Sequence, residues 1–119
     1  MTNSEDKAKM EDRRLFARIE LKIPLKFLDS SSGREGIAET VDISGNGVGI
    51  VTFITKENLV LNTKLDLWIE IPDHHAPFYT SGEIVWSQLL SDGALQRLGI
   101  CLDNIDFIGL ARALEINGI

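Results

Sequence analysis

The sequence predicts an all-β domain: a six-stranded antiparallel barrel with a C-terminal helix packed on it and a flexible N-terminal arm ahead of it. Three observations carry this reading. Apolar and polar residues alternate along residues 19–27 and again along 65–71, the period-two signature of half-buried strands. Several such runs are short and separated by glycine, asparagine, serine and proline turn signals, a spacing that suits a small barrel, in which closure removes exposed edges. The tail then changes period, with Phe107, Leu110, Ala111 and Leu114 recurring at helical spacing.

The elements follow in order. Residues 1–12 are polar, lack an apolar stripe and are expected to form the flexible arm, leaving 13–119 as the barrel domain with its helix. In the first strand, 19–27, Ile19, Leu21, Ile23, Leu25 and Phe27 face inward, while Glu20, Lys22, Pro24 and Lys26 face outward. Pro24 removes a ladder donor, which places this strand at an edge or bulges it there. Asp29 to Gly33 is a turn. A second strand is expected over 36–43, a turn at Ser44 to Gly47, and a third strand over 48–53. Residues 55–62 form a connector. A fourth strand over 65–71 leads through a hairpin loop at 72–77 to a fifth over 78–87, and a turn at 90–93 leads to a sixth over 95–102. The helix has Asn104 or Asp106 as its N-cap and Gly118 past its end.

A chain of 119 residues is one domain and can bury roughly two thirds of its unfolded surface, so neither a disulfide nor a metal is needed to hold it together. The single cysteine, Cys101, has no intramolecular partner, which suits a reducing compartment. No apolar run approaches the roughly 18 residues that span a bilayer, and the polar N-terminus does not read as a signal peptide. A cytoplasmic chain with no membrane insertion is expected. Charge is unevenly distributed: residues 1–18 carry a net +1 and the remainder a net −7, which together give the overall −6. A body this acidic repels polyanions, which argues against a nucleic-acid polymer as partner and for a local site that takes a small anion.

Two short stretches define that site. Arg14 and Arg18 form an R-x-x-x-R arm with Arg13 directly before it. Asp42, Ser44 and Gly47 form a D-x-S-x-x-G turn. Guanidinium forks suit phosphate oxygens and the O6/N7 edge of guanine. A carboxylate accepts from the guanine N1–H and N2–H₂ edge, a serine hydroxyl reaches phosphate or a ring acceptor, and glycine lets backbone approach a ligand. Together they ask for an anionic, guanine-containing ligand.

The pairing of these motifs in this order, about 25 residues apart, with Gly82-Glu83-Ile84-Val85-Trp86 further on, resembles the PilZ domain. That family is a bacterial receptor module for cyclic di-GMP, and the resemblance runs from roughly Arg13 to Asp103. It implies the same barrel with its C-terminal helix. It also implies that Arg14 and Arg18 contact phosphate and guanine, that Asp42 and Ser44 meet a guanine edge or phosphate from the opposite wall, and that Gly47 permits close backbone approach. An arginine at position 13 resembles the form that holds two stacked ligands per chain. The arm is expected to close over the ligand, and a separate downstream protein is expected to read the result. The other reading of the family is an adaptor in pilus or motility assembly that binds no nucleotide.

Other features read as structural. His74 and His75, on extended backbone, point to opposite sides and lack further ligands for a metal. Cys101 reads as a small buried hydrophobe, and Trp68 and Trp86 as core or wall residues. There is no nucleophile elbow, Walker loop or hydrolase metal cluster, and Asp42 alone is not enough for acid–base hydrolysis, so no enzyme is expected. An RNA- or single-strand-binding barrel would need aromatics interleaved with basic residues; aromatics are 7% and the body is acidic.

Overall fold

The computed structural model describes residues 18–54, 57–104 and 107–116. Among the described residues seven strands, β1 (Ile19–Glu20), β2 (Pro24–Asp29), β3 (Arg34–Ile43), β4 (Gly47–Phe53), β5 (Lys64–Ile69), β6 (Phe78–Leu90) and β7 (Leu95–Leu102), are followed by helix α1 (Phe107–Ile116). Pairing runs β3-β2-β5-β6-β7-β4, and β4 pairs again with β3, so six strands close into an antiparallel barrel. The short β1 adds to the end of β3, with Ile19 opposite Ile43 and Glu20 opposite Asp42.

Alternation makes the core. Leu25 and Phe27 on β2, Leu65 and Leu67 on β5, Ile84 on β6, and Leu98 and Ile100 on β7 all point inward and are buried. Burying each such side chain contributes up to about 1.5–3 kcal/mol. The turn at the foot of β2 is also as expected. Asp29 accepts from the Ser31 N–H (3.1 Å) and from the Ser31 and Ser32 hydroxyls (2.6 and 2.8 Å), and Gly33 takes a φ of 75° that a side chain would resist.

The first predicted strand, 19–27, is instead two. Val41 bulges between Thr40 and Asp42, so β3 carries one residue more than β4 there. Thr40 is buried, and its hydroxyl accepts from the Ile23 N–H (2.8 Å) and donates to the Leu21 carbonyl, standing in for ladder bonds across the break. Pro24 is therefore neither an edge residue nor bulged. It opens β2 just past the break, where its missing N–H costs least, and its carbonyl still accepts from Glu70 N–H (3.0 Å). Strand β5 stops at Ile69 and β6 runs on to Leu90, with a 3₁₀ turn at Ser91–Gly93.

Helix α1 caps the barrel mouth at the Ser44 end. Among its residues whose burial is described, Gly109 and Ala113 are buried, whereas Ala111, expected on the packed face, is exposed. A Cβ on Gly109 would stand 2.5 Å from the Phe78 ring, so a glycine at this position lets the helix come close to β6, while Ile116 packs against the core. Arg112 ties the helix down. Its Nε and a terminal nitrogen donate to the two Asp73 oxygens (2.6 and 2.7 Å) and to the Ala76 carbonyl (3.0 Å) in the β5–β6 loop. Among the described residues no helix is long and apolar enough to cross a membrane. The expected Asp106 cap and Gly118 lie outside the described residues.

Candidate functional site

The D-x-S-x-x-G stretch falls where β3 ends and turns into β4. The Val41 bulge resets the phase of β3, so that Asp42 faces outward and Ile43 stays in the core. From Asp42 a single row crosses four strands of the outer wall: Asp42 opposite Gly49, Gly49 opposite Gly99, and Gly99 opposite Trp86. A second bulge, at Val85, brings Trp86 into that row.

Two glycines between an acid and an indole define the surface. A Cβ on Gly49 would stand 2.6 Å from Asp42 Oδ1, and one on Gly99 would stand 2.0 Å from Trp86 Nε1. The carboxylate and the ring therefore lie flat on the wall because the residues beneath them have no side chains. Asp42 Oδ1 also accepts from the Gly49 N–H (3.0 Å). Arg97, two residues before Gly99, sets its guanidinium 5.7 Å from the Trp86 ring centroid. Its Nε is buried without a hydrogen-bond partner among the described residues, so stacking holds this group.

The turn itself is tightly bonded. The Ser44 N–H donates to the Gly47 carbonyl (2.9 Å), and the Ser44 hydroxyl donates to Asn46 Oδ1 (2.9 Å) and, more weakly, to the Gly47 carbonyl (3.3 Å). Gly47 is required by contact and not by φ: its Cβ would stand 3.1 Å from the Ile100 carbonyl, and its backbone is not left-handed. The turn and the row enclose a cavity of about 150 Å³, bordered by Arg18, Asp42, Ser44, Gly47, Trp86 and Cys101.

Arg18 reaches the cavity because β1 pairs beside Asp42. Its guanidinium lies 3.4 Å from Asp42 Oδ2, with the two side chains 67% and 14% exposed. At that distance and exposure the pair contributes no more than about 1 kcal/mol; the backbone pairing of β1 is what fixes the arginine. The structure thus brings together Arg18, Asp42, Ser44 and Gly47 out of the residues singled out from sequence. Arg13 and Arg14 lie outside the described residues.

Sequence reasoning missed Gly49, Gly99 and the part played by Trp86. Glycine inside a strand signals a close approach, which could have flagged the first two. Cys101, expected in the core, is exposed and borders the cavity. Its neighbour Ile100 points inward, so alternation turns the thiol out. His74 and His75 sit at the β5–β6 loop, where Asp73 is taken up by Arg112.

The chain matches the family described as PilZ domain over residues 12–115. It belongs to the PilZ domain family. Among curated proteins nothing matches. Among solved structures, the PilZ domain of YcgR from Escherichia coli, determined with c-di-GMP, is similar at a TM-score of 0.64 and 13% identity, over 87% of this chain and 90% of that one. The inhibitor of motility MotI/DgrA of Bacillus subtilis is similar at 0.64 and 13%, over 89% of this chain and 53% of that one, so this PilZ domain spans about half its length. PlzA of Borreliella burgdorferi, in complex with c-di-GMP, is similar at 0.57 and 13%, over 93% and 56%. At such identities the likeness establishes the shared fold.

Proposed function

We propose that this PilZ domain is a cyclic di-GMP receptor without catalytic activity, which passes its signal to a separate protein. The observation that carries the reading is the meeting of Arg18 and Asp42, 24 positions apart, on one cavity whose wall is flattened by Gly49 and Gly99. Family membership and the c-di-GMP found with the YcgR and PlzA domains support the choice of ligand.

Each group has a chemical role. Arg18 offers a planar fork to a phosphate or to the guanine O6/N7 edge. Both Asp42 oxygens already have one partner, and each keeps a further lone pair able to accept from guanine N1–H and N2–H₂. Trp86, backed by Arg97, presents an aromatic face on which a base stacks. Ser44 and Gly47 supply a polar turn with backbone close to the ligand.

The cavity is smaller than the roughly 300–1,000 Å³ typical of ligand sites. It takes one end of a dinucleotide, and Arg13 and Arg14 complete the site from the arm. Two stacked ligands bring four phosphate charges together, and a third guanidinium offsets a repulsion that two would leave; hence two ligands per chain. Ordering the arm costs about 1–2 kcal/mol per fixed backbone residue, which the phosphate and base contacts must exceed. Titration with cyclic di-GMP, with GMP as control, tests the reading. Saturable binding lost in Arg18→Ala supports it, whereas absence of binding leaves the adaptor that binds no nucleotide.

A further inference from the structure

Away from the nucleotide cavity the outer wall carries an apolar stripe that the barrel itself does not use. Tyr79 lies opposite Trp68, Trp68 opposite Lys26, and Lys26 opposite Ile37. Phe53 follows on β4, one position past the Ala38–Thr52 pair, and lies opposite Leu95. Ile37 is 70% exposed, Phe53 73% and Tyr79 53%. Outward positions of a strand facing water are ordinarily polar, as Lys26 is at the middle of this row. Apolar patches on either side of it, Ile37 with Phe53 and Trp68 with Tyr79, are of the kind that marks an interaction site. The patch is also ordered: the Trp68 and Tyr79 rings pack at 5.4 Å, and the Tyr79 hydroxyl donates to Asp66 (2.5 Å). Between Trp68 and Ile37, over Gly36, the surface dips into an open groove of about 350 Å³.

The margins of the stripe are acidic. Glu35 and Glu39 stand on β3, one outward position to either side of Ile37, and Glu70 stands beside the Trp68 end of β5. Among the described residues no ion pair engages any of the three, nor Lys26 in the groove between them, so three carboxylates face one ammonium and the patch is net acidic.

We propose that this stripe docks a basic amphipathic helix of a partner protein, its apolar face on Ile37, Phe53 and Trp68 and its lysines or arginines against Glu35, Glu39 and Glu70. Charge decides the occupant. A second copy of this chain would set the same carboxylates against one another, whereas a basic segment neutralises them and is steered in by the acidic body. Apolar anchors give affinity and the charged rim gives specificity, as in other groove-bound helices. The stripe shares β3, β4 and β7 with the nucleotide cavity, Phe53 lying about 13 Å along β4 from Gly49, but the proposal stands independently of the nucleotide reading.

The test uses the full chain, isotopically labelled, titrated with an amphipathic leucine–lysine helical peptide of about 18 residues. A leucine–glutamate counterpart and a sequence-scrambled lysine peptide serve as controls, and binding is followed by chemical-shift mapping. Only the amphipathic lysine peptide should bind, with shifts centred on Ile37, Phe53 and Trp68. The double variant Ile37→Ser with Phe53→Ser should weaken it at least about tenfold. Glu35→Lys with Glu39→Lys should weaken it comparably, as should added salt. Ile37, Phe53 and Glu35 are exposed and Glu39 is half-buried, and circular dichroism establishes that both variants fold. The proposal is overturned by no binding, by equal binding of any control peptide, by shifts centred elsewhere, or by self-association of the chain that is lost in the Phe53 variant.

Discussion

At Gly99, one added methyl group would stand 2.0 Å from Trp86 Nε1. Gly99→Ala must therefore lift the indole off the wall or push β6 away from β7. We expect a changed tryptophan emission, a fold destabilised by roughly 1–3 kcal/mol as is typical of overpacking, and weakened cyclic di-GMP binding; unaltered emission and affinity would remove Trp86 from the site. Arg18→Ala should lose at least one bidentate contact, about 1–3 kcal/mol or tenfold in affinity. Because the side chain is mostly exposed, its thermal unfolding should scarcely change. These residues differ in how readable they were. Arg18 and Asp42 were legible because they belong to two motifs whose pairing resembles the PilZ family; either charge alone would read as an ordinary solvated residue. Gly49 and Gly99 announce a close approach without naming which side chain arrives, and Trp86 sits in an alternating run that defaults to a structural wall. Only the Val85 bulge, invisible to periodicity, explains why it joins the site.

At the scale of elements, side chains stand in for missing backbone partners. Gln96, buried on β7, accepts from the Leu59 N–H (2.9 Å) and donates to the Leu59 carbonyl (2.7 Å), anchoring the connector between β4 and β5 inside the barrel. Gln96→Leu would leave both Leu59 groups unpaired at about 1–3 kcal/mol each, so its urea midpoint should fall clearly. An unchanged midpoint would mean that the connector is held by Leu59 packing alone. Helix α1 has a comparable tie. The hydrogen-bonded guanidinium of Arg112 holds the Asp73 carboxyl well below the usual carboxylate range. A pKa depressed on folding contributes stability that is fully present above the unfolded value, about 3.9, and is lost as pH falls below it. Wild type should therefore lose thermal stability in acid more steeply than Asp73→Asn, which should start lower at neutral pH; parallel curves would contradict this. Strand existence was largely legible, since alternation survives in β2, β5 and β7. The break before Pro24 was not, because it depends on Thr40 reaching across from another strand. On the helix Ala111 was misplaced, because spacing alone did not show that the close contact with Phe78 falls at Gly109.

At the scale of the whole molecule, six strands close into a barrel, and Arg18, just ahead of β1, borders the cavity on its outer wall. If the ligand acts as proposed, its ordering effect falls in the arm. Amide exchange over about residues 10–18 should slow when cyclic di-GMP is added, while barrel strands change little. Equal protection with and without ligand would mean that the arm does not close. Barrel and helix were readable from pattern, whereas the pairing of two distant motifs was readable only through the family resemblance. Their meeting through the short β1 was not, because two residues carry no periodicity. The most direct test of the central claim is calorimetric titration of the intact chain with cyclic di-GMP. The account predicts saturable binding with a ratio near two ligands per chain, moving toward one in Arg13→Leu. Absence of binding at saturating ligand would contradict the receptor assignment, and a wild-type ratio of one would contradict the stacked pair alone.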